Sequence, residues 1–143
     1  MNLDHQPLDL IEQRYAAVLL DARDREFAWG QYDCALFALR VVEARRNVKG
    51  LLPAAWRWES AEEAARVLDS LGGYVAAVSA VLGPPIAKGP AFATVGDVVL
   101  ARDPSPPSGR ELLTVCNGVY LVAPAARGLS AIHRSNALVA WRT

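Results

Sequence analysis

Apolar residues in the first half of the chain recur at three- and four-residue intervals, which is typical of helices with one buried face. This spacing predicts a first helix over residues 7–23. A second helix is predicted over residues 33–46, with Phe37, Val41 and Ala44 on its buried face. The chain therefore begins with helical structure.

Local signals mark where these helices begin. The carboxylate of Asp33 is well placed to accept amide protons of the first turn of the second helix. Ser60 and Glu63 have the spacing of a capping box, which predicts that a third helix follows Ser60 and that the two residues satisfy each other's backbone donors. A short, mostly apolar stretch then runs to Leu82, before Gly83 and two prolines end it.

After Pro90 the pattern becomes extended, and residues 95–142 are predicted to form an antiparallel sheet. Its predicted parts are a strand over 96–101, a turn-rich loop over 103–109, a hairpin of 112–116 with 119–122 across Asn117-Gly118, and a last strand over 137–141. Helices first and an antiparallel sheet second predict an α+β fold. We expect residues 1–143 to form a single domain.

The charge balance narrows the choice of partners. Lys plus Arg and Asp plus Glu each total 15, so the formal net charge is zero. This argues against nucleic acid as a partner, since such proteins carry excess positive charge. No apolar run reaches the length of a membrane span, and the N-terminus lacks the pattern of an export signal. We therefore expect synthesis in a reducing cytoplasm and no membrane insertion.

Cys34 is the most informative candidate site residue. A cysteine at a helix N-terminus has its thiolate stabilised by unpaired amide dipoles, which favours nucleophilic chemistry. Gly30 would permit close backbone approach to a substrate, and Trp29 could wall a substrate slot. The alternative is that Cys34 is a small buried residue, as most unpaired cysteines are. Two cysteines and two histidines do not supply a metal site, so we expect no cofactor.

Three short blocks carry a family resemblance: residues 27–34 (FAWGQYDC), 96–100 (GDVVL) and 140–142 (AWR). In this order they resemble the NlpC/P60 cysteine peptidase superfamily, and in particular its bacteriophage tail-associated branch. The resemblance implies a papain-like core, with helices packed on a small antiparallel sheet. It also implies that Cys34 corresponds to the catalytic nucleophile of active members.

Active members of that superfamily carry a histidine at the start of the second strand, where it serves as the base for the thiol. In this chain the corresponding place is occupied by Leu112 or Leu113, and neither side chain can transfer a proton. His133 is the remaining candidate base if it folds back toward Cys34, and His5 in the N-terminal segment is a weaker one.

Other polar and aromatic residues near these motifs have structural explanations as well. Asp33 is expected to cap a helix, and Cys116 to be a core residue. Trp56 and Trp58 flank Arg57, so in an extended segment they would point to opposite sides, one toward the core and one toward a partner. The alternative is that both anchor the core or a loop.

Two functions follow from these observations. The first is a structural or assembly component of a phage or phage-derived tail, at the tail tip, built on a degenerate NlpC/P60-like domain with other tail proteins as partners. The second is an active cysteine peptidase or amidase that opens peptidoglycan stem peptides during DNA delivery, with Cys34 as nucleophile. The missing histidine favours the first function, in which the protein is a virion component and a pseudoenzyme.

Overall fold

A computed structural model describes residues 8–105 and 109–143 of the chain, except for the side chains of residues 8 and 9. The helices are α1 Leu8–Ala22, α2 Cys34–Arg46, α3 Ala61–Ser70 and α4 Tyr74–Leu82. The first three helices begin and end within a residue or two of their predicted bounds. The stretch before Gly83, for which no helix was predicted, is the helix α4. His5 and part of the 103–109 loop lie outside the described residues.

Two of the predicted helix caps form. The Asp33 carboxylate accepts a 3.1 Å hydrogen bond from the Leu36 amide, and the Ser60 hydroxyl accepts one of 3.1 Å from the Glu63 amide. The prediction that Glu63 reciprocates to Ser60 is wrong, because its carboxylate accepts from the amide of Glu59, at 2.8 Å. This hydrogen bond still joins the Glu63 side chain to the backbone before α3, but its donor is one residue earlier than the donor in a capping box.

The second half of the chain forms one antiparallel five-stranded sheet of order β4-β3-β2-β1-β5. Its strands are β1 Val98–Arg102, β2 Glu111–Cys116, β3 Tyr120–Pro124, β4 Leu129–His133 and β5 Ala137–Trp141. The predicted hairpin across Asn117-Gly118 joins β2 and β3, and the last strand has its predicted bounds. The edge strand β4 was not predicted. The fold is thus α+β, with four helices and an antiparallel sheet.

Strand alternation divides the core into two clusters of buried residues. Leu113 and Val115 face the cluster that contains the buried residues of α2, whereas Leu112 and Cys116 point into the second cluster. Cys34 packs against the second cluster from the start of α2. This arrangement brings the first turn of α2 close to the first residues of β2.

Among the described residues, no single helix is long and apolar enough to cross a membrane. The helices α3 and α4 reach that length and composition only together, and the pair is bent by 71°.

Candidate functional site

Cys34 lies at the first residue of α2 and opens onto a cleft of about 380 Å³. The cleft is bounded by the start of α2, one face of α3, the start of α4 and the beginning of β2. Its walls include Trp29, Trp58, Leu68, Tyr74, Arg110 and Leu112. The structure therefore brings the predicted residues Trp29, Cys34 and Trp58 to one site.

The carboxylate of Asp33 fixes the geometry of this site. In addition to capping α2, it accepts hydrogen bonds from the amide of Gly30 (2.9 Å) and from the indole Nε1 of Trp58 (2.7 Å). Asp33 is buried, with 1% of its surface exposed. A buried carboxylate is stable when hydrogen bonds satisfy it, and here three donors converge on it. Asp33 therefore connects the turn before α2, α2 itself and the segment that carries Trp58.

Gly30 allows two segments of the fold to approach each other closely. Its φ of +77° lies in the left-handed region, and a Cβ at this position would overlap the backbone carbonyl of Trp58. The close backbone approach expected at Gly30 thus occurs, but the group that approaches is a neighbouring segment of the same chain. Gly30 does not line the cleft.

Trp56 and Trp58 are both buried, with 4% and 5% of their surfaces exposed. The prediction that they point to opposite sides is wrong, since their ring centroids lie 6.1 Å apart with planes tilted by 32°. The segment bends there, because the Trp56 amide donates to the carbonyl of Pro53 and that of Arg57 to Ala55. Trp58 lines the cleft, whereas Trp56 belongs to the core and does not line it.

The thiol of Cys34 is protonated at neutral pH in this environment. Burial and, to a smaller extent, the neighbouring Asp33 carboxylate together raise the pKa of Cys34 to about 12, against a lowering by Arg110. Burial also raises the pKa of the Tyr74 phenol to about 12. The stabilisation expected from the helix N-terminus is therefore outweighed by desolvation.

The start of β2 shows which of its two leucines lies near Cys34. Leu112 lines the cleft together with Cys34, whereas Leu113 points into the other cluster, against the buried residues of α2. The Leu112 side chain offers no proton acceptor.

The structure does not bring His133 to Cys34. His133 pairs with Tyr120, beyond the Cys116 end of β2, whereas the cleft lies at the Leu112 end. Leu112 and Cys116 alone are about 13 Å apart along the strand. The imidazole of His133 is exposed, and its Nδ1 lies 2.9 Å from the hydroxyl of Ser135. His133 is the single histidine of residues 8–105 and 109–143.

Two lining residues, Tyr74 and Arg110, were not found from the sequence. Tyr74 is placed by the turn at Gly72-Gly73, which bends α4 away from α3 and points the phenol toward Cys34. Arg110 follows the proline-rich loop and begins no recognisable motif. Only the tertiary fold brings these two residues together.

The remaining cysteine and the acidic residues do not form a second site. Cys116 is fully buried, and its sulfur lies 3.5 Å from the carbonyl oxygen of Gly118. Across the part of the chain that the structure describes, no group of three or more histidine, cysteine, aspartate or glutamate side chains could hold a metal ion.

A comparison with protein families identifies a match over nearly the whole chain. Residues 7–143 match the model of a family described as Domain of unknown function (DUF6950). No curated protein and no solved structure matches the chain. Since the match covers nearly the whole sequence, the chain belongs to the DUF6950 family.

Proposed function

We propose that this protein is a non-catalytic, papain-like domain of NlpC/P60 type that serves as a structural component of a phage or phage-derived tail, in the tip region. The observation that carries the proposal is that Cys34 and Leu112 line the same cleft and belong to the same packed cluster. A thiol at a helix N-terminus thus has a hydrocarbon side chain near it, where an active hydrolase needs a base.

The architecture supports the papain-like part of the proposal. Cys34 begins a largely buried helix that packs on an antiparallel sheet. The GDVVL block leads into the strand β1, and Trp141 of the AWR block is fully buried at the end of β5. Each block that carries the resemblance is thus a structural element of the core.

The protonation state of Cys34 supports the proposal that the protein is not a hydrolase. With a pKa of about 12, Cys34 has almost no thiolate at neutral pH. Asp33 cannot act as a base for it, because three hydrogen bonds engage its oxygens and its charge opposes ionisation of the thiol.

Assembly into a tail is supported by the tail-associated character of the three sequence blocks and by the surface. The formal net charge of zero leaves little repulsion between neighbouring subunits. Among the described residues, the large hydrophobic side chains of Leu20, Phe92, Val119 and Tyr120 are more than half exposed. Such residues suit contacts with other tail proteins in a virion.

The proposal is tested by two measurements. Purified protein is incubated with peptidoglycan stem peptides beside an active NlpC/P60 enzyme, and we expect no cleavage by either the native protein or the Cys34→Ser variant. Phage or tail particles are then purified from a strain that carries the gene and analysed by mass spectrometry, and we expect peptides of this chain in them. Its presence in the lysate but absence from purified particles would contradict the structural role.

The alternative is an active peptidase or amidase on peptidoglycan, and the cleft that remains open at Cys34 favours it. Cleavage of stem peptides by the native protein, lost in Cys34→Ser, would establish this alternative and overturn the non-catalytic proposal.

A further inference from the structure

The charged side chains of Asp69, Arg110 and Glu111 line the cleft, but the groups around Cys34 present no unpaired charge to a ligand. Hydrogen bonds from three donors satisfy the Asp33 carboxylate. Burial keeps Cys34 and Tyr74 protonated at neutral pH by raising the pKa of each to about 12. An apolar group that enters the cleft would therefore meet no unpaired charge at its base.

The shape of the cleft is set by small side chains on one wall and aromatic ones on the other. The α3 wall is formed by Ala61, Ala64, Ala65 and Leu68, with the acidic Asp69 at its end. The facing walls carry the rings of Trp29, Trp58 and Tyr74. The volume of about 380 Å³ is at the small end of the range for ligand sites, roughly 300–1,000 Å³. It suits one large apolar side chain better than an extended cofactor.

The mouth of the cleft continues into a second depression, which is lined by Phe27, Pro124 and the two residues after it. Trp29 and Arg110 line both depressions and form the ridge between them. The described residues include no acidic side chain in an ion pair with Arg110. An extended chain could lie over this ridge and reach both depressions.

We infer that the cleft is a docking site for a linear segment of a partner protein. One aromatic or branched apolar side chain of the segment occupies the cleft over Cys34, and a carboxylate next to it pairs with Arg110. Asp69 on α3 and Glu111 on β2 also line the cleft, whereas Arg110 is the one of these three that lines the second depression too. The carboxylate of the segment therefore lies on the second-depression side of Arg110, away from both acids. The inference rests on the proposed non-catalytic function, because a ligand that was cleaved would not remain as a structural contact.

A minimal probe is the capped dipeptide N-acetyl-Phe-Asp amide, titrated at millimolar concentrations into protein labelled with ¹⁵N at its tryptophans. Each of the four indole N–H groups gives a separate signal. We expect the signals of Trp29 and Trp58 to shift with saturation. The signal of Trp141, which donates to Ser79 and does not line the cleft, should stay in place.

Two further peptides test the two parts of the recognition. N-acetyl-Ala-Asp amide should bind about tenfold more weakly or worse, because it leaves the cleft unfilled. N-acetyl-Phe-Asn amide should bind about two- to fivefold more weakly, since it loses a solvent-exposed ion pair with Arg110. In the Arg110→Gln variant, the Phe-Asn and Phe-Asp peptides should bind equally well, while the Ala-Asp peptide should still bind more weakly than the Phe-Asp peptide.

Variants that change the cleft complete the test. Ala65→Phe places a ring in the cleft from an exposed position on α3 and should abolish the shifts. Ala80→Phe, at an exposed position of α4 outside the cleft, should leave them unchanged. The inference is overturned if Trp29 and Trp58 do not shift, if Trp141 shifts equally, or if Ala65→Phe binds like the native protein.

These outcomes are separate from those that test the proposed function. Cleavage of stem peptides would overturn the non-catalytic function, whatever the dipeptides do. Loss of the indole shifts would overturn the docking site and leave the tests of hydrolysis and of particle incorporation unaffected.

Discussion

The indole Nε1 of Trp58 donates a 2.7 Å hydrogen bond to the Asp33 carboxylate, across 25 residues of sequence. The same carboxylate oxygen accepts the amide of Gly30, and the other one caps α2. The position of Cys34 and one wall of the cleft thus depend on a single buried side chain. An acid directly before the cysteine has a structural explanation that requires no catalysis.

Replacing Asp33 with alanine should destabilise the protein by about 3 kcal/mol or more. The change removes a helix cap, which contributes about 1 kcal/mol. It also leaves the Gly30 amide and the Trp58 indole without their acceptor, at about 1–3 kcal/mol for each buried donor. Urea unfolding measures the loss. Trp58→Phe is the matched control and should cost less, since it keeps the cap and the Gly30 bond; equal costs for the two variants would contradict this account.

Replacing Gly30 with alanine should cost about 2 kcal/mol more than the same change at Gly50. Both glycines have nearly the same φ, +77° and +78°, so the backbone strain is matched. A Cβ at Gly50 meets no atom within 4 Å, whereas at Gly30 it overlaps the carbonyl of Trp58. The difference between the two free energies of unfolding therefore isolates the steric overlap. A difference near zero would show that the two segments can separate without loss.

The elements that sequence reasoning predicted well are those with local signals. Asp33 and Ser60 mark the starts of α2 and α3 through caps that involve only neighbouring residues. The Asn117-Gly118 turn identifies its hairpin in the same way. By contrast, α4 begins at Tyr74 after Gly73, which provides no side-chain cap, and nearly all its residues are apolar, so the sequence marks neither its start nor a helical period. The strand β4 has the sequence LSAIH, in which only Ile132 is buried, and it pairs with β3 along its length.

The site was predictable only in part, for the same reason. Cys34 and its helix position follow from a contiguous motif. Trp58, Tyr74 and Arg110 reach the cleft through three separate tertiary contacts, which no local pattern encodes. The alternation argument failed for Trp56 because it assumed an extended segment, and backbone hydrogen bonds bend the chain there. Alternation along β2 predicts that Leu112 and Leu113 lie on opposite faces of the sheet. Only the tertiary packing shows that the face with Leu112 is the one near Cys34.

Placing a histidine at position 112 should make Cys34 more reactive. An imidazole across the cleft stabilises the thiolate and lowers the thiol pKa, so the iodoacetamide rate at pH 7 should rise about tenfold or more. The site of modification is mapped by mass spectrometry, because Cys116 is also present. Tyr120→His, at an exposed position near the other end of the sheet, should leave the rate unchanged. A folded Leu112→His protein with the native rate would show that Leu112 does not occupy the position of a base.

The raised pKa of Cys34 should make the protein less stable at alkaline pH. The unfolded thiol ionises near pH 8.5, whereas the folded thiol remains protonated up to about pH 12. Above pH 8.5 the unfolded state therefore binds fewer protons, and the free energy of unfolding falls as pH rises. Between pH 7 and pH 10, Cys34→Ala should lose about 1–2 kcal/mol less than the native protein. Equal losses in urea titrations at the two pH values would contradict the burial of the thiol.

Replacing Tyr32 with phenylalanine should stabilise the protein, or at least leave its stability unchanged. The hydroxyl of Tyr32 is buried and has no hydrogen-bond partner among the described residues, so its removal relieves an unsatisfied polar group. Tyr15→Phe is the matched control, because that hydroxyl donates to the Asn117 side chain at 2.8 Å. It should cost about 1 kcal/mol. Urea unfolding of both variants gives the sign. If Tyr32→Phe were the more damaging of the two, the hydroxyl would have a partner in solution, and the environment described for Tyr32 would be wrong.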